Sequence, residues 1–292
     1  MRQIKILTDS TSDLSKELRE EFGIDYLRMG VTVDGEEYPA DLDYAAYTPE
    51  WIYDKMRKGS RVKTIQVTVE ELTKRFPEYL DKGMDIIYVA CSSALSGSYN
   101  TARLYAEELL ANYPGAKIAC VDARNSCMGE GLLAIEASKM AKEGKSVEEI
   151  VAALENDKDY YHQWAATETL KYLANAGRVS AGKAFFGNII GLKPILISNL
   201  KGENYAIKKV RGRKASIEEL ANEVAANIVD PENQYVAVLH ADDPEAAKML
   251  KDEISKRVQV KGFYDGILGP IIGASVGPGT VAVYFKGKKL EL

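Results

Sequence analysis

The feature that most constrains this chain is an apolar run that ends in a hydroxyl-rich turn and continues as a helical pattern. Residues 86–91 are apolar, and the next seven residues contain four serines. This order predicts a strand, a turn and a helix. The unpaired N–H groups and the positive dipole end of a helix N-terminus suit a carboxylate or phosphate. The simpler interpretation is that Ser96 or Ser98 only caps the helix.

Two further apolar runs end in the same way. Residues 4–7 and residues 117–121 each lead into a polar turn that a helical pattern follows. In an open parallel sheet, ligands bind beyond the carboxyl ends of the strands, where all three turns would meet. The pattern therefore favours one shared binding site, with Asp9, Ser10 and Ser93 as supporting candidates.

The length of the chain favours two domains. A chain of 292 residues is near the upper limit for a single core. Residues 1–160 alternate strand and helix patterns, which predicts a doubly wound parallel-sheet α/β domain. Residues 161–292 predict a mixed α+β domain. Its predicted strands are 161–167, 194–198, 205–210, 235–240 and 280–285, and its predicted helices are 216–228 and 244–256.

Helix ends are marked by short local patterns. A serine or threonine three residues before a glutamate, at Thr68, Ser146 and Ser216, predicts three capping boxes. Pro49 predicts the first position of another helix. Four glycines fall where helix C-terminal caps are expected. They are Gly23, Gly59, Gly83 and Gly144.

Composition excludes several classes of function. The net charge of −5 is modest and dispersed, so we expect no nucleic-acid partner. The N-terminus has no apolar stretch of signal-peptide length and no later run approaches a membrane span, which predicts a cytoplasmic protein. The three cysteines lack a C-x-x-C pair and are interpreted as core residues. Only His162 and His240 are present, so a histidine metal site or a Ser-His-Asp triad is not favoured.

Other motifs are weaker. Residues 177–184 approach a phosphate-binding loop, but Ala184 removes the magnesium-binding hydroxyl. Residues 129–134 match a dinucleotide fingerprint only loosely. The basic segment around Arg211 is either a solvated turn or a docking point for an anion. The apolar residues 185–192 are either ordinary core or the lining of a lipophilic cavity. We therefore expect no nucleotide, cofactor or metal ion.

Five segments, in order along essentially the whole chain, resemble the DegV family. The segments are 9–14, 63–66, 92–99, 173–180 and 269–280. The resemblance implies the two-domain EDD fold, with a long-chain fatty acid bound between the domains. It also implies a role in phospholipid metabolism, as the acyl-binding subunit that hands the acid to a separate ATP-dependent fatty acid kinase. Transient contact with a membrane is compatible with that role.

The same resemblance assigns the head-group residues. It implies that Thr64 and Ser96 hydrogen-bond the carboxylate, helped by the backbone of Gly97 and Ser98, with Arg178 close by. The position of Ser275 holds a histidine in many relatives, and serine donates a hydrogen bond but carries no positive charge. Residues 63–68 also lack a serine and a proline that the family usually has.

Two other functions are also compatible with the sequence. A serine of the turn could be the nucleophile of an acyl hydrolase or acyltransferase, which requires a nearby base. The same pocket would also serve a lipid-sensing regulatory module.

Overall fold

The computed structural model describes residues 2–180 and 191–292, and the following bounds refer to those residues. The strands are β1 (Ile4–Asp9), β2 (Asp25–Leu27), β3 (Met29–Val33), β4 (Glu36–Ala40), β5 (Val62–Ile65), β6 (Asp85–Ala90), β7 (Ile118–Asp122), β8 (Tyr161–Ala166), β9 (Leu192–Ser198), β10 (Asn204–Arg211), β11 (Tyr235–His240), β12 (Gly262–Ile267) and β13 (Val281–Lys286). The α-helices are α1 (Lys16–Phe22), α2 (Pro49–Arg57), α3 (Val69–Leu80), α4 (Ser98–Leu109), α5 (Met128–Lys142), α6 (Val147–Asp157), α7 (Lys171–Ala176), α8 (Arg213–Asn227), α9 (Pro244–Ser255) and α10 (Pro270–Val276).

The first half forms the predicted parallel sheet, in the order β2-β1-β6-β7. Every residue of β6 is buried, and helices α3, α5 and α6 pack against this strand. Burial on both faces favours apolar residues, which explains the continuous run at residues 86–90 that follows the ion-paired Asp85. The carboxyl ends of β1, β6 and β7 lie at one edge of the sheet, so the three polar turns emerge there together.

A second, antiparallel sheet in the first half was not predicted. Its order is β4-β3-β5, and a simple alternation of strands and helices through residues 1–160 is therefore wrong for residues 29–65. The three strands are short, and Pro39 lies in β4, so the pattern of residue types along them is weak. This sheet matters for the site because it pairs Thr64 of β5 with Val31 of β3.

The second half forms a six-stranded mixed sheet in the order β10-β9-β8-β13-β11-β12. The five strands predicted from the sequence are confirmed within one or two residues. Strand β12 was missed because its sequence, with glycine at both Gly262 and Gly266, lacks an apolar alternation. The third capping box is wrong: α8 begins at Arg213, and Ser216 lies inside the helix and donates to the Arg213 carbonyl.

The six-stranded sheet is buried on both faces by different partners. Ala165 and Tyr284 belong to the large core that includes the parallel sheet, whereas their neighbours Trp164 and Val283 pack with α8 and α9. Successive side chains of a strand point to opposite faces of the sheet, which produces this division. One face of the sheet is therefore turned toward the first half of the chain, and a cavity lies on that face.

Local predictions have mixed outcomes. Ser146 and Glu149 form the complete capping box, and Pro49 begins α2 as predicted. Thr68 accepts from the Glu71 amide, but the Glu71 carboxylate instead accepts from the backbone of Arg28. The three cysteines are free, and two of them are buried. Within residues 2–180 and 191–292, no helix combines the length and the apolar character that crossing a bilayer requires.

Candidate functional site

A cavity of about 330 Å³ lies between the six-stranded sheet, the ends of β5 and β6, and helix α10. Its wall includes five of the six residues that the sequence assigned to the head group: Thr64, Ser96, Gly97, Arg178 and Ser275. Most of the remaining wall is apolar. The apolar and sulfur-containing side chains are Met29, Ile65, Cys91, Leu95, Ala165, Leu196, Leu268, Ile271, Ile272, Val276 and Ala282.

The serine turn forms the polar end of this cavity. Ser96 Oγ lies 2.9 Å from Ser98 Oγ and accepts a hydrogen bond from the Ser98 amide at 3.2 Å. Ser98 is buried behind the wall, where its hydroxyl accepts from the Val67 amide at 3.1 Å. The N-cap position of α4 is Gly97, which has no side chain to cap the helix. Ser96 Oγ accepts from the first amide of α4, that of Ser98, but no side chain of the described residues accepts from the amides of Tyr99 and Asn100. The capping interpretation therefore applies in part to Ser96, which also lines the cavity.

A close approach favours glycine at position 97. A Cβ atom at this position would lie 2.1 Å from Gln66 Oε1 and 3.0 Å from Gln66 Cδ. The Gln66 side chain is held there because its Nε2 donates to Thr101 Oγ1 at 2.8 Å. Glycine therefore lets the loop after β5 lie directly against the start of α4, which brings the Thr64 segment to the serine turn.

Arg178 joins the two halves of the protein at the same point. Helix α7 ends at Ala176, and the residue that follows, Gly177, has a left-handed φ of 68°. The next residue, Arg178, donates from Nε to the Leu95 carbonyl at 3.1 Å and from the guanidinium to the Ala176 carbonyl. The Arg178 side chain therefore satisfies a helix carbonyl and also lines the cavity.

Ser275 lies in α10, where its hydroxyl donates to the Ile271 carbonyl one turn earlier at 3.3 Å. Ser275 also lines the cavity, and its hydroxyl oxygen can still accept hydrogen bonds. A neutral hydroxyl at this position adds hydrogen-bonding capacity without charge. Arg178 is the one arginine or lysine in the described part of the cavity wall.

Asp9 and Ser10 lie behind the site and support its backbone. Asp9 is buried, and its carboxylate accepts from the Tyr88 hydroxyl at 2.6 Å and from the Thr11 amide at 2.9 Å. Burial raises the pKa of the Asp9 carboxyl. The Ser10 hydroxyl donates to the Ala40 carbonyl at 2.6 Å, which ties β1 to the antiparallel sheet. Neither side chain belongs to the described cavity wall.

Ser93 and Arg211 lie away from the cavity. Ser93 is exposed, and its hydroxyl and amide both contact the Asp122 carboxylate, at 2.5 and 3.1 Å. Arg211 is exposed at the end of β10, opposite Leu192. Neither residue is part of the described wall of the cavity. Residues 181–190, which include most of the apolar run 185–192 and the end of the loop-like motif 177–184, are outside the described residues.

Besides the Tyr284 hydroxyl, sequence reasoning missed six polar side chains of the described wall, which are Thr11, Gln66, Ser126, Gln163, Asn204 and Thr280. Ser126 lies in the third polar turn, so its place at the common edge of the sheet was a usable signal. Gln163 is a single amide in a buried strand, and Asn204 begins an antiparallel strand. Only the register of the six-stranded sheet brings these two together.

A second, larger cleft of about 640 Å³ adjoins the cavity and shares Thr64, Arg178 and Ser275 with it. Arg61, Lys63 and Lys171 also line this cleft. None of these three side chains forms an ion pair with the described residues, and no aspartate or glutamate is among the described residues of the lining. The polar end of the cavity therefore opens into an electropositive cleft on a chain whose net charge is −5.

Both histidines form hydrogen bonds away from the cavity. His162 Nε2 lies 2.6 Å from the Lys288 carbonyl, and His240 Nδ1 accepts from the Asp243 amide at 3.2 Å. Burial lowers the pKa of both imidazoles. No group of three or more His, Cys, Asp or Glu side chains among the described residues is arranged to hold a metal ion.

The fold and the cavity define a two-part mixed α/β protein with a largely apolar cavity at the carboxyl edge of its parallel sheet. A profile of the DegV family, described as an uncharacterised protein family, matches residues 3–288. A DegV domain-containing protein of Clostridium perfringens is 37% identical over 291 residues, which cover 100% of both chains. The chain therefore belongs to the DegV family.

Solved structures of similar proteins carry the same fold. A fatty acid binding DegV family protein from Thermus thermophilus has a TM-score of 0.88 at 29% identity and covers 98% of this chain and 100% of its own. DegV from Bacillus subtilis, described as a fatty acid binding protein, has a TM-score of 0.82 at 28% identity, with 99% and 100% covered. These two-domain structures confirm the predicted fold class.

Proposed function

We propose that this protein binds a long-chain fatty acid in the cavity. The acid's carboxylate lies at Thr64 and Ser96, where the backbone of Gly97 and Ser98 and the side chains of Arg178 and Ser275 add hydrogen bonds. The observation that carries the proposal is the convergence of these residues, from both halves of the chain, at one end of a largely apolar cavity. The fatty acids bound by the similar structures support the same ligand class.

The two ends of the ligand have different roles. Burial of a methylene contributes about 0.8 kcal/mol, so a long tail gains on the order of ten kcal/mol before ordering costs are subtracted. The wall made by α10 and by Leu196 supplies the apolar surface for this burial. The carboxylate contributes less energy but fixes the direction of the chain, because charged hydrogen bonds have a defined geometry.

We also propose that the bound acid is presented to a separate ATP-dependent kinase in the cytoplasm, with transient contact at a membrane. The electropositive cleft supports this role. It adjoins the head-group residues, and its lysines and arginines have no acidic neighbours in the described lining. An approaching phosphate chain would be attracted there, whereas an acidic lining would repel it.

A serine-dependent acyl hydrolase is a weaker candidate. Ser96 Oγ contacts another hydroxyl, Ser98 Oγ, at 2.9 Å, and both histidines have other partners. No base is within hydrogen-bond distance of Ser96 Oγ among the described residues, although a nucleophilic serine needs one. A sensor that uses the same pocket would bind the same ligand and would differ only in its partner.

Mass spectrometry of an organic extract of the purified protein tests the proposal. A fatty acid in near-stoichiometric amount is the expected result. Delipidated protein should then rebind that acid and should release no product from acyl esters or acyl-CoA. An empty extract combined with no binding of any long-chain acid would refute the carrier function, and steady turnover of an acyl ester would favour the hydrolase.

A further inference from the structure

The sheet face that lines the cavity has one polar row and one apolar row. Antiparallel register places Gln163 of β8 opposite Tyr284 of β13, and Asn204 of β10 opposite Ser198 of β9. Since Trp164 pairs with Ile197, Gln163 also lies opposite Ser198. The adjacent row on the same face consists of small and aliphatic residues, Ala206, Leu196, Ala165 and Ala282.

The polar row has hydrogen-bonding capacity that the protein does not use. Ser126 Oγ donates to Gln163 Oε1 at 3.2 Å, Gln163 Nε2 donates to Asn204 Oδ1 at 2.9 Å, and Asn204 Nδ2 donates to the Arg178 carbonyl at 3.2 Å. A glutamine amide carries two donors and two acceptor sites. Within the described chain, Gln163 uses one of each, and the lone pairs of Ser126 Oγ receive no donor.

These side chains are shielded from bulk water. Ser126, Gln163 and Asn204 have exposed fractions of 4%, 5% and 7%, and all three line the cavity. A plain alkyl tail against them would leave the second N–H of Gln163 and the lone pairs of Ser126 without partners. Buried polar groups in that state destabilise the complex. A ligand with a donor and an acceptor at the point of the tail that contacts Gln163 and Ser126 would pair these groups and remove the destabilisation.

We propose that the preferred ligand is a long-chain acid with a hydroxyl group on the chain, bound by Gln163 and Ser126. The ligand hydroxyl oxygen accepts from the free N–H of Gln163, and its hydrogen is donated to Ser126 Oγ. A hydroxyl matches the row because it is both donor and acceptor. This inference rests on the proposed binding of a long-chain acid and adds the chemical class of its tail.

The test compares octadecanoic acid with a positional series of monohydroxyoctadecanoic acids by isothermal titration of delipidated protein. We expect one position, or two neighbouring ones, to bind about tenfold more tightly than octadecanoic acid, which corresponds to about 1.4 kcal/mol. Hydroxyls at other positions should weaken binding because they are buried against the apolar row.

Two variants identify the residues responsible. Gln163→Leu keeps the side-chain size, and Ser126→Ala removes one hydroxyl. Each should abolish the preference for the hydroxy acid, and Gln163→Leu should also bind octadecanoic acid more tightly than wild type does, because the unpaired N–H of Gln163 is removed. Thermal unfolding followed by circular dichroism checks that each variant folds. Ser138→Ala is the matched control, because this buried serine of α5 donates to the Phe22 carbonyl and is not part of the described cavity wall. It should leave the preference unchanged.

The failures of the two proposals are distinguishable. If octadecanoic acid binds tightly and every hydroxy isomer binds more weakly, the hydroxyl inference is wrong and the fatty-acid proposal stands. A preference that survives both Gln163→Leu and Ser126→Ala also refutes the assigned residues. If no long-chain acid binds at all, the proposed function itself fails.

Discussion

Replacement of Ser96 by alanine should weaken binding of a fatty acid far more than binding of the matching alcohol. The variant removes a hydroxyl that accepts from the Ser98 amide at 3.2 Å and contacts Ser98 Oγ at 2.9 Å. A hydrogen bond to a charged group contributes about 1.5–3 kcal/mol, against about 0.5–1.5 kcal/mol for a neutral pair. The affinity for hexadecanoic acid should therefore fall about 10- to 150-fold, and that for hexadecan-1-ol about 2- to 10-fold.

The assay is displacement of a fluorescent fatty acid from delipidated protein, with both ligands titrated against wild type and variant. Ser93→Ala is the control, since it deletes a hydroxyl from the same turn that contacts Asp122 rather than the cavity. It should change neither affinity. Equal losses for acid and alcohol in Ser96→Ala would refute a carboxylate site at this residue, because an uncharged head group would then depend on Ser96 just as strongly.

Two further variants test the surroundings of the site. Gly97→Ala places a Cβ 2.1 Å from Gln66 Oε1, and a backbone shift at the serine turn that relieves this clash should weaken acid binding by roughly one hydrogen bond, about 1 kcal/mol. Adding Gln66→Ala removes the clash and should restore affinity in the same displacement assay, and no rescue would exclude the clash as the cause. Burial raises the pKa of Asp13 to about 7. The pKa of an aspartate in the unfolded chain is about 3.9, so between about pH 4 and pH 7 the folded protein binds more protons than the unfolded chain. The free energy of unfolding therefore falls as pH rises from about 4 to 7. Asp13→Asn should lessen that loss by up to about 4 kcal/mol, measured by urea unfolding across this pH range. Identical pH profiles of stability for wild type and variant would contradict a raised pKa at Asp13.

Much of the fold was predictable because its signals are local. The runs at residues 4–7 and 86–91 are apolar because helices cover both faces of the parallel sheet, and such runs are visible without any knowledge of the partners. The antiparallel sheet of β3 to β5 was not visible, since short strands are specified by pairing rather than by their own residues. The start of α8 was misplaced for a related reason: Ser216 fits a capping pattern, but the chain already turns at Gly212.

The candidate site was likewise predictable only where its signals are local. The serine turn was found because a strand, a turn and a helix follow one another in the sequence. Ser10 and Ser93 share that local signature, yet their hydroxyls contact Ala40 and Asp122 and lie outside the described cavity wall. A polar turn predicts that hydroxyls gather at the sheet edge, but tertiary packing decides which of them face the ligand.

Gln163 illustrates the information that only register supplies. Alone, a glutamine in a strand whose residues are all buried looks like an isolated polar residue in the core. Pairing with β13 and β9 turns it toward the cavity, beside Asn204 and within reach of Ser126 from the parallel half of the protein. A shift of one residue would turn Trp164 inward instead and fill the cavity. The register of β8 therefore sets both the open space of the cavity and the polar side chains along its wall, so the proposed ligand selectivity depends on sheet pairing as much as on the serine turn.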